Sequence, residues 1–396
     1  MRVSGAIVIG GDYRALGIVR SLGRRGIPVW VLTNEHRVAT ASRYARFDGD
    51  WPKQPAQQIR YLLKLCDLHG LDGWALFPTD DEASAVLAHH HAALSKRFLM
   101  TTPPWDVLRW SYDKRLMHRL ASEAGVAQPR TFMPKNRHEV VRLECGFPAI
   151  LKPAFKPNLN RFTRAKAWRV ENVRTLMSLY DEASELVDPG IIMIQQFIPG
   201  GGEDQVSYAA LCADGKPLAS MTVRRTRQYP MDFGRASSYV EAVAVPEIVE
   251  PSQRLLHQLK FTGLAEVEFK RDSTDGIYKL LDINTRVWGW HTLGWQTGID
   301  FPYLMWRLVR GESLPEIRTR AGARWIRLLT DLPAAAGEIL SGRLSIKEYA
   351  RSLSEPMEFA IFAEDDLLPA LLDLPYLALL ACKRTGALLP FKGGLL

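Results

Sequence analysis

Cysteine is sparse in this chain. Cys66, Cys145, Cys212 and Cys382 are the only four in 396 residues. They are too far apart to form a metal-type pair, so reduced and mostly buried thiols are expected. No uninterrupted run of about 20 apolar residues is present, the length a helix needs to cross a bilayer. The opening MRVSGAIVIGG lacks both the apolar length of a signal sequence and a cleavage site, and a cytoplasmic location is the default expectation. Two glycine signatures are also missing. The first turn reads G-G-x-x-x-x-x-G, at Gly10, Gly11 and Gly17, where a dinucleotide site with Glu35 on the ribose would need G-x-G-x-x-G. The segment KPNLNRFTRAKAWRV has no glycine run at all.

What remains is ordinary for a globular protein. Hydrophobic residues make up 47% and charged residues 24% of a chain long enough for two or three domains. The net charge of +8 suits an anionic ligand, a nucleic acid or a membrane surface without choosing among them. SGAIVIGGDYRALGIVRSLGRRGIPVWVLT reads as strand, turn, amphipathic helix (about 15–25) and strand. A helix over about 56–69 and the strand, loop and helix of GWALFPTDDEASAVLAHHHAAL follow. These units predict a small open parallel sheet with helices on its faces, ending near residue 108. His89, His90 and His91 sit on a helix, where consecutive side chains diverge, so they are poor chelators. A capped helix then starts near Tyr112 and stops at Gly125, and Lys152 closes the apolar strand of CGFPAILKPAF. A lysine there needs an anion or a route to solvent. IIMIQQFIPGGGED runs a strand into a glycine bend, and QVSYAALCADGKPLASMTVRRTRQYP alternates like an antiparallel hairpin. The tail, 311–396, reads as helical. Its LLPALLDLPYLALLACKR is apolar enough to touch a membrane, but Asp373, Pro369 and Pro375 interrupt it and favour a packed helix pair. Removal of residues 366–396 is then expected to destabilise the protein.

The most informative stretch is GLAEVEFKRDSTDGIYKLLDINTRVWGWH, residues 263–291. Side chains alternate along a strand, so Glu266 and Glu268 share one face of the first run, and Asp282, Asn284 and Arg286 share one face of the second. The opposite faces are apolar, and DSTDG supplies the turn of a hairpin. Carboxylate and amide oxygens on adjacent strands suit a hard divalent cation that keeps phosphate oxygens among its ligands. A nearby arginine tolerates the metal if phosphate lies between them.

With these residues in place the chain resembles the ATP-grasp superfamily, and within it the carboxylate-amine ligases, from the N-terminus to about residue 310. VEF followed by LLDINTR is similar to the family's metal and phosphate motif. The resemblance implies an α/β and α+β architecture: a Rossmann-like preATP-grasp domain (1–108), an ATP-grasp domain (109–310) with a nucleotide lobe (about 109–197) and a metal and phosphate lobe (about 198–310), and a mostly helical C-terminal extension (311–396). It implies that Glu268, Asp282 and Asn284 hold two Mg²⁺ ions, with Mn²⁺ able to replace them, between the phosphates of ATP. By the same likeness Arg286 steadies the transferring phosphoryl, Lys114 and Lys152 are the nucleotide lysines, Gln196, Phe197 and Ile198 meet the purine edge, and Glu203 meets the ribose. Arg225 and Arg227 are candidates for holding the substrate carboxylate or its acyl phosphate, with an ion-pair role as the alternative. His291 is a further candidate to approach substrate, among Trp288, Trp290 and Trp295 as core or pocket wall. Asp282 stands where the family more often has Glu, and Thr285 where Pro is usual. The segment 156–170 offers Lys156, Arg161, Arg164 and Lys166 in place of a glycine lid. With Phe162, Trp168 and Tyr229 it also admits a nucleic-acid reading, which no recognised binding module accompanies.

The implied activity is ATP-dependent ligation of a small carboxylate to a small amine, releasing ADP and phosphate, by a homodimer with no nucleic-acid partner. An ATP-dependent carboxylase or carboxyl-group kinase is the alternative on the same fold, and a dinucleotide-binding protein a third.

Overall fold

The computed structural model describes residues 4–165, 167–229, 236–314, 317–319, 322–354 and 356–375. Three sheets organise them. The first joins β1 (Ala6–Ile9), β2 (Val29–Thr33), β3 (Ala45–Asp50), β4 (Ala75–Pro78) and β5 (Leu99–Met100) in parallel, in the order β3-β2-β1-β4-β5. β1 is buried on both faces, as its continuous apolar sequence requires. Helices over Tyr13–Gly23, Pro55–His69 and Asp81–His89 make the crossovers. Gly10, at φ +118, takes the chain from β1 into the first helix with its Cα against Thr79, where any Cβ would collide with the hydroxyl. The strand ends of β1 and β4 present Asp12, Asp80 and Asp81, and the first two cap the following helices by accepting from the Arg14 and Ala83 amides. This is the edge of an open parallel sheet where ligands are generally received.

The second sheet is small: β6 (Thr131–Phe132), β7 (Ala149–Pro153), β8 (Trp168–Val170) and β9 (Ile192–Gln196), ordered β6-β9-β7-β8. It packs against the Val173–Leu186 helix over a core of its own that includes Leu151, Phe162, Tyr180 and Ile194.

The third sheet has eight strands: β10 (Gln205–Ala213), β11 (Lys216–Tyr229), β12 (Ala236–Ala242), β13 (Gly263–Arg271), β14 (Tyr278–Asn284), β15 (Ile317–Arg318), β16 (Arg324–Ile326) and β17 (Met357–Phe359). Its main path runs β14-β13-β10-β11-β12-β16-β17, with β15 beside β11. One apolar core joins this sheet to the first: Val8, Tyr13 and Leu16 pack in the same cluster as Leu211, Val223, Trp288, Trp325 and Ile361.

The Lys114–Glu123 helix, assigned from sequence to the nucleotide lobe, buries Met117, Leu120 and Ala121 in a cluster with Tyr208, Val267 and Phe269 of the third sheet. The segment from 311 contributes helices over Leu328–Leu340 and Ile346–Ser352, as expected, but also strands β15 to β17. Trp325 and Ile326 of β16 are fully buried because they extend an existing sheet. The same segment then returns to the N-terminal domain. Asp366 accepts from Arg20 Nε at 2.9 Å and Ser42 Oγ at 2.7 Å, and Asp365 from Arg24 and Tyr44. Lys166, Cys382 and residues 376–396 lie outside the described residues. Among the described residues, no helix is long and apolar enough to cross a membrane.

Candidate active site

The hairpin forms in the register that the alternation predicts. Glu268 lies opposite Asp282 and Glu266 opposite Asn284, with an irregularity between Glu268 and Phe269. The apolar face, with Ala265, Val267, Phe269 and Ile283, is buried beneath the sheet. Burial of that face fixes the register, since a slip of one residue would drive the carboxylates into the core.

On the polar face the side chains interlock. Asn284 Nδ2 donates to Glu268 Oε1 at 2.8 Å and Glu266 Oε2 at 3.2 Å. Trp290 Nε1 donates to Glu266 Oε1 at 3.1 Å. The Arg225 guanidinium, only 4% exposed, donates to Glu268 and, at 2.8 Å, to Ser237 Oγ. Lys114, the first residue of its helix, reaches across to Asp282 Oδ2 at 2.5 Å. Arg286 Nε donates to Asp81 Oδ1 at 2.6 Å, which binds the end of the hairpin to the strand ends of the first sheet. Its other nitrogen lies 3.4 Å from Asn284 Oδ1. Three parts of the chain thus meet on one face of β13 and β14.

The electrostatics of that face leave it short of positive charge. Burial, and then the neighbouring Glu268 carboxylate, push Glu266 up to about 7, although Arg225 pulls the other way. Among the described residues, no three His, Cys, Asp or Glu side chains converge into a protein-only metal cage. Two carboxylates and an amide form instead the partial oxygen set that suits Mg²⁺ with phosphates and water completing its shell, and an excess of buried carboxylate is what such an ion would relieve. The donor set therefore fits the ion.

The residues expected to meet the nucleotide are split between the other elements. Lys152 is buried on β7, paired in register with Met193 of β9. Its charge and that of Lys114 both act on His118, which lies one helical turn beyond Lys114. Burial, then Lys152, hold that imidazole down to about 4. His118 is neutral and bracketed by two amides, with Nε2 3.1 Å from Gln195 Nε2 and Nδ1 facing Gln128 Oε1. Because the Gln195 nitrogen donates, Nε2 must accept and Nδ1 must carry the proton. Gln196 ends β9, and Phe197 and Ile198 follow it. Lys270 secures their bend by donating to the Ile198 and Gly200 carbonyls at 3.0 and 2.7 Å. Glu203 is exposed in the turn beyond.

Not every expected residue gathers here. Arg227 is two positions from Arg225, but its fork is filled on the other side by Asp331, with Nε–Oδ1 and NH2–Oδ2 both at 2.9 Å, and its face is stacked on Tyr239 at 3.9 Å. The pairing with β12 is irregular between Arg224 and Arg227, and the two guanidinium groups take different carboxylates, Glu268 and Asp331. His291 is wholly buried, donating from Nδ1 to the Trp288 carbonyl at 2.9 Å and pressed against Gly17. Trp288 and Trp290 are core, as anticipated. His89 stacks on Trp105 and diverges from its neighbours. Phe162 is fully buried against Trp168, and Arg161 pairs with Glu182. Glu266, His118 and Gln195 are the side chains that the motif alone did not assign. Glu266 was visible in the alternation; His118 shows only in its i, i+4 relation to Lys114.

Residues 192–328 match the family model described as an ATP-grasp in the biosynthetic pathway with Ter operon. The chain is 22% identical to a D-aspartate ligase of Enterococcus faecium (strain Aus0004) over 54% of its own length, and it spans about half (53%) of that relative. Among solved structures it is similar to the biotin carboxylase domain of a Hydrogenobacter thermophilus 2-oxoglutarate carboxylase in complex with MgADP. That match has a TM-score of 0.66 at 16% identity and covers 82% of this chain and 74% of that one. It is similar also to an L-amino acid ligase from Bacillus licheniformis, with a TM-score of 0.61 at 15% identity over 78% of this chain and 75% of that one. The motif hairpin, the three-sheet architecture and these matches agree: the chain has the ATP-grasp fold, and its residues 192–328 match an ATP-grasp family model.

Proposed function

We propose that this protein is an ATP-dependent ligase that activates a small carboxylate as its acyl phosphate and joins it to a small amine. The observation that carries the reading is the register of β13 and β14, which sets Glu268, Asp282 and Asn284 on one face with Lys114 and Arg225 reaching into it. Phosphoryl transfer needs positioning and charge neutralisation more than side-chain nucleophiles, and these are the resources assembled. Mg²⁺, held by Glu268, Asp282 and Asn284, would neutralise charge on the β- and γ-phosphates. Lys114 exchanges its Asp282 contact for phosphate, and Lys152 approaches from the small lobe. Gln196, Phe197 and Ile198 line the purine, with Glu203 toward the ribose. Arg286, oriented by Asp81, steadies the phosphoryl group in flight.

A substrate carboxylate oxygen attacks the γ-phosphorus as its bond to ADP breaks. The amine nitrogen then attacks the acyl carbon, the carbon–oxygen bond to phosphate breaks, and the nitrogen loses a proton. Arg225 is placed to hold the acid or its phosphate, whereas Arg227 is committed to Asp331. Both the D-aspartate ligase and the L-amino acid ligase are named for joining amino acids, which supports an amino acid as one of the substrates here.

The test is ADP release across pairs of acids and amines. Release that requires both partners and yields one amide per ADP supports the reading. Release with bicarbonate alone would replace it with a carboxylase, the activity suggested by the biotin carboxylase likeness. A homodimer is part of the same proposal, and sedimentation equilibrium decides it.

A further inference from the structure

The outward side of the C-terminal helices has the wrong polarity for a surface facing only water. On the Leu328–Leu340 helix, Leu328, Leu332, Ala336 and Leu340 recur every four residues, all exposed, with Pro333 beside them. Its inner side carries Asp331, Ala334 and Ala335, packed on the third sheet. The only charges on this helix are Asp331, which is buried, and Glu338, which is half-buried. The Ile346–Ser352 helix repeats the inversion. Ile346, Ala350 and Leu353 form an exposed stripe at i, i+4 and i+7, while Tyr349 and Ser352 turn inward to Arg227 and Tyr239. Leu340 and Ile346, at the tip between the two helices, are 89% and 72% exposed. Leu367, Leu368, Leu371 and Leu374 are exposed on the segment that Arg327 meets through Asp373 at the base of the first helix.

We infer that this apolar face docks on an anionic lipid bilayer, lying in the headgroup layer without crossing it. The charges around the tip select that occupant. Arg343, Lys347 and Arg351 are exposed around Leu340 and Ile346 and outnumber the two acids there, Glu338 beside Arg343 and Glu348, which caps Ser345. A leucine face with a cationic rim is the pattern of interfacial helices, and each cation near an anionic leaflet adds attraction that salt weakens. A second copy of the chain would bring the same cations against their own kind. A groove-binding peptide needs concavity, and this surface is a projecting helical tip.

The experiment is co-sedimentation of the full chain with vesicles of phosphatidylcholine alone or with about a third phosphatidylserine, a composition chosen to make the surface negative. The protein should pellet with the anionic vesicles and be released by salt. Leu340→Ser with Ile346→Ser should lower the partition coefficient at least about tenfold, from the apolar area withdrawn. Lys347→Glu with Arg351→Glu should abolish binding. Both double variants should keep the wild-type circular dichroism and melting transition. Failure of the wild-type protein to pellet with either vesicle overturns the inference. So does a wild-type dimer at sedimentation equilibrium that the Leu340→Ser, Ile346→Ser variant dissociates while vesicle binding is unchanged.

Discussion

Replacing Asp331 by Ala separates the fold from the chemistry. Asp331 has no exposed surface and accepts three hydrogen bonds, two from Arg227 and one from Ser238 Oγ, each at 2.9 Å. Without it, the Arg227 guanidinium stays buried over Tyr239 with no carboxylate. Removing one partner of a buried ion pair costs about 3–5 kcal/mol, because the remaining charge is uncompensated. Replacing both, Arg227→Met with Asp331→Leu, removes charge and countercharge together and should recover most of that loss. The measurement is urea unfolding followed by tryptophan fluorescence, since Trp325 lies on β16 beside this region, together with ADP release at saturating substrates. The single variant should unfold at clearly lower urea; the double variant should unfold near wild type and retain turnover. A double variant that is stable yet inactive would refute the reasoning and return Arg227 to the site.

Asp282→Ala should abolish magnesium-dependent nucleotide binding while leaving the melting temperature nearly unchanged, because Asp282 is partly exposed and its partner Lys114 can be solvated; calorimetric titration with Mg·ATP checks this. Lys114→Met should raise the apparent nucleotide dissociation constant about tenfold or more, the scale of one lost charge-assisted contact, as read by nucleotide-dependent thermal shift. Glu266 has its folded pKa raised above the ordinary carboxylate value to about 7. Its contribution to stability is therefore full below the unfolded pKa and is lost as pH rises through 7. The ligand-free protein should melt lower at pH 8 than at pH 6, Mg·ATP should narrow that difference, and Glu266→Gln should remove it. Gly17→Ala places a methyl carbon 2.4 Å from His291 Nε2 and 2.7 Å from Thr292 Cγ2. Both neighbours are buried, so a loss of about 1–3 kcal/mol is expected, measured by denaturant unfolding.

Alternation with period two was enough to place the hairpin and the polar face of Glu268 and Asp282, but not the irregularity after Glu268, which buries Leu280 where strict alternation would bury Leu281. That legibility has a physical source, since one side is buried and the other charged, so the pattern admits only one pairing. The helix expected to start near Tyr112 and stop at Gly125 was equally readable and spans Lys114–Glu123, yet the sheet on which it packs was not. Its stripe of Met117, Leu120 and Ala121 states only that something covers it, and the cover lies more than eighty residues away in β10 and β13. Arg225 and Arg227 show the same limit in the site. Even spacing puts them on one face of an ideal strand, and neither the irregular pairing around Arg227 nor the carboxylate that each meets has a local signature. The extra strands after residue 311 were hidden by their brevity: three residues such as Arg324–Ile326 carry no periodicity to detect.

Because Tyr13, Leu211, Trp288, Trp325 and Ile361 interlock in one hydrophobic mass, the parallel domain, the large sheet and the returning C-terminal strands form a single anvil. The four-stranded lobe keeps its apolar residues to itself. On the proposed function, opening and shutting of the cleft is expected to fall to that lobe, pivoting near the bend that Lys270 holds, so that Lys152 and Gln196 would move relative to Glu268, Asp282 and Arg225.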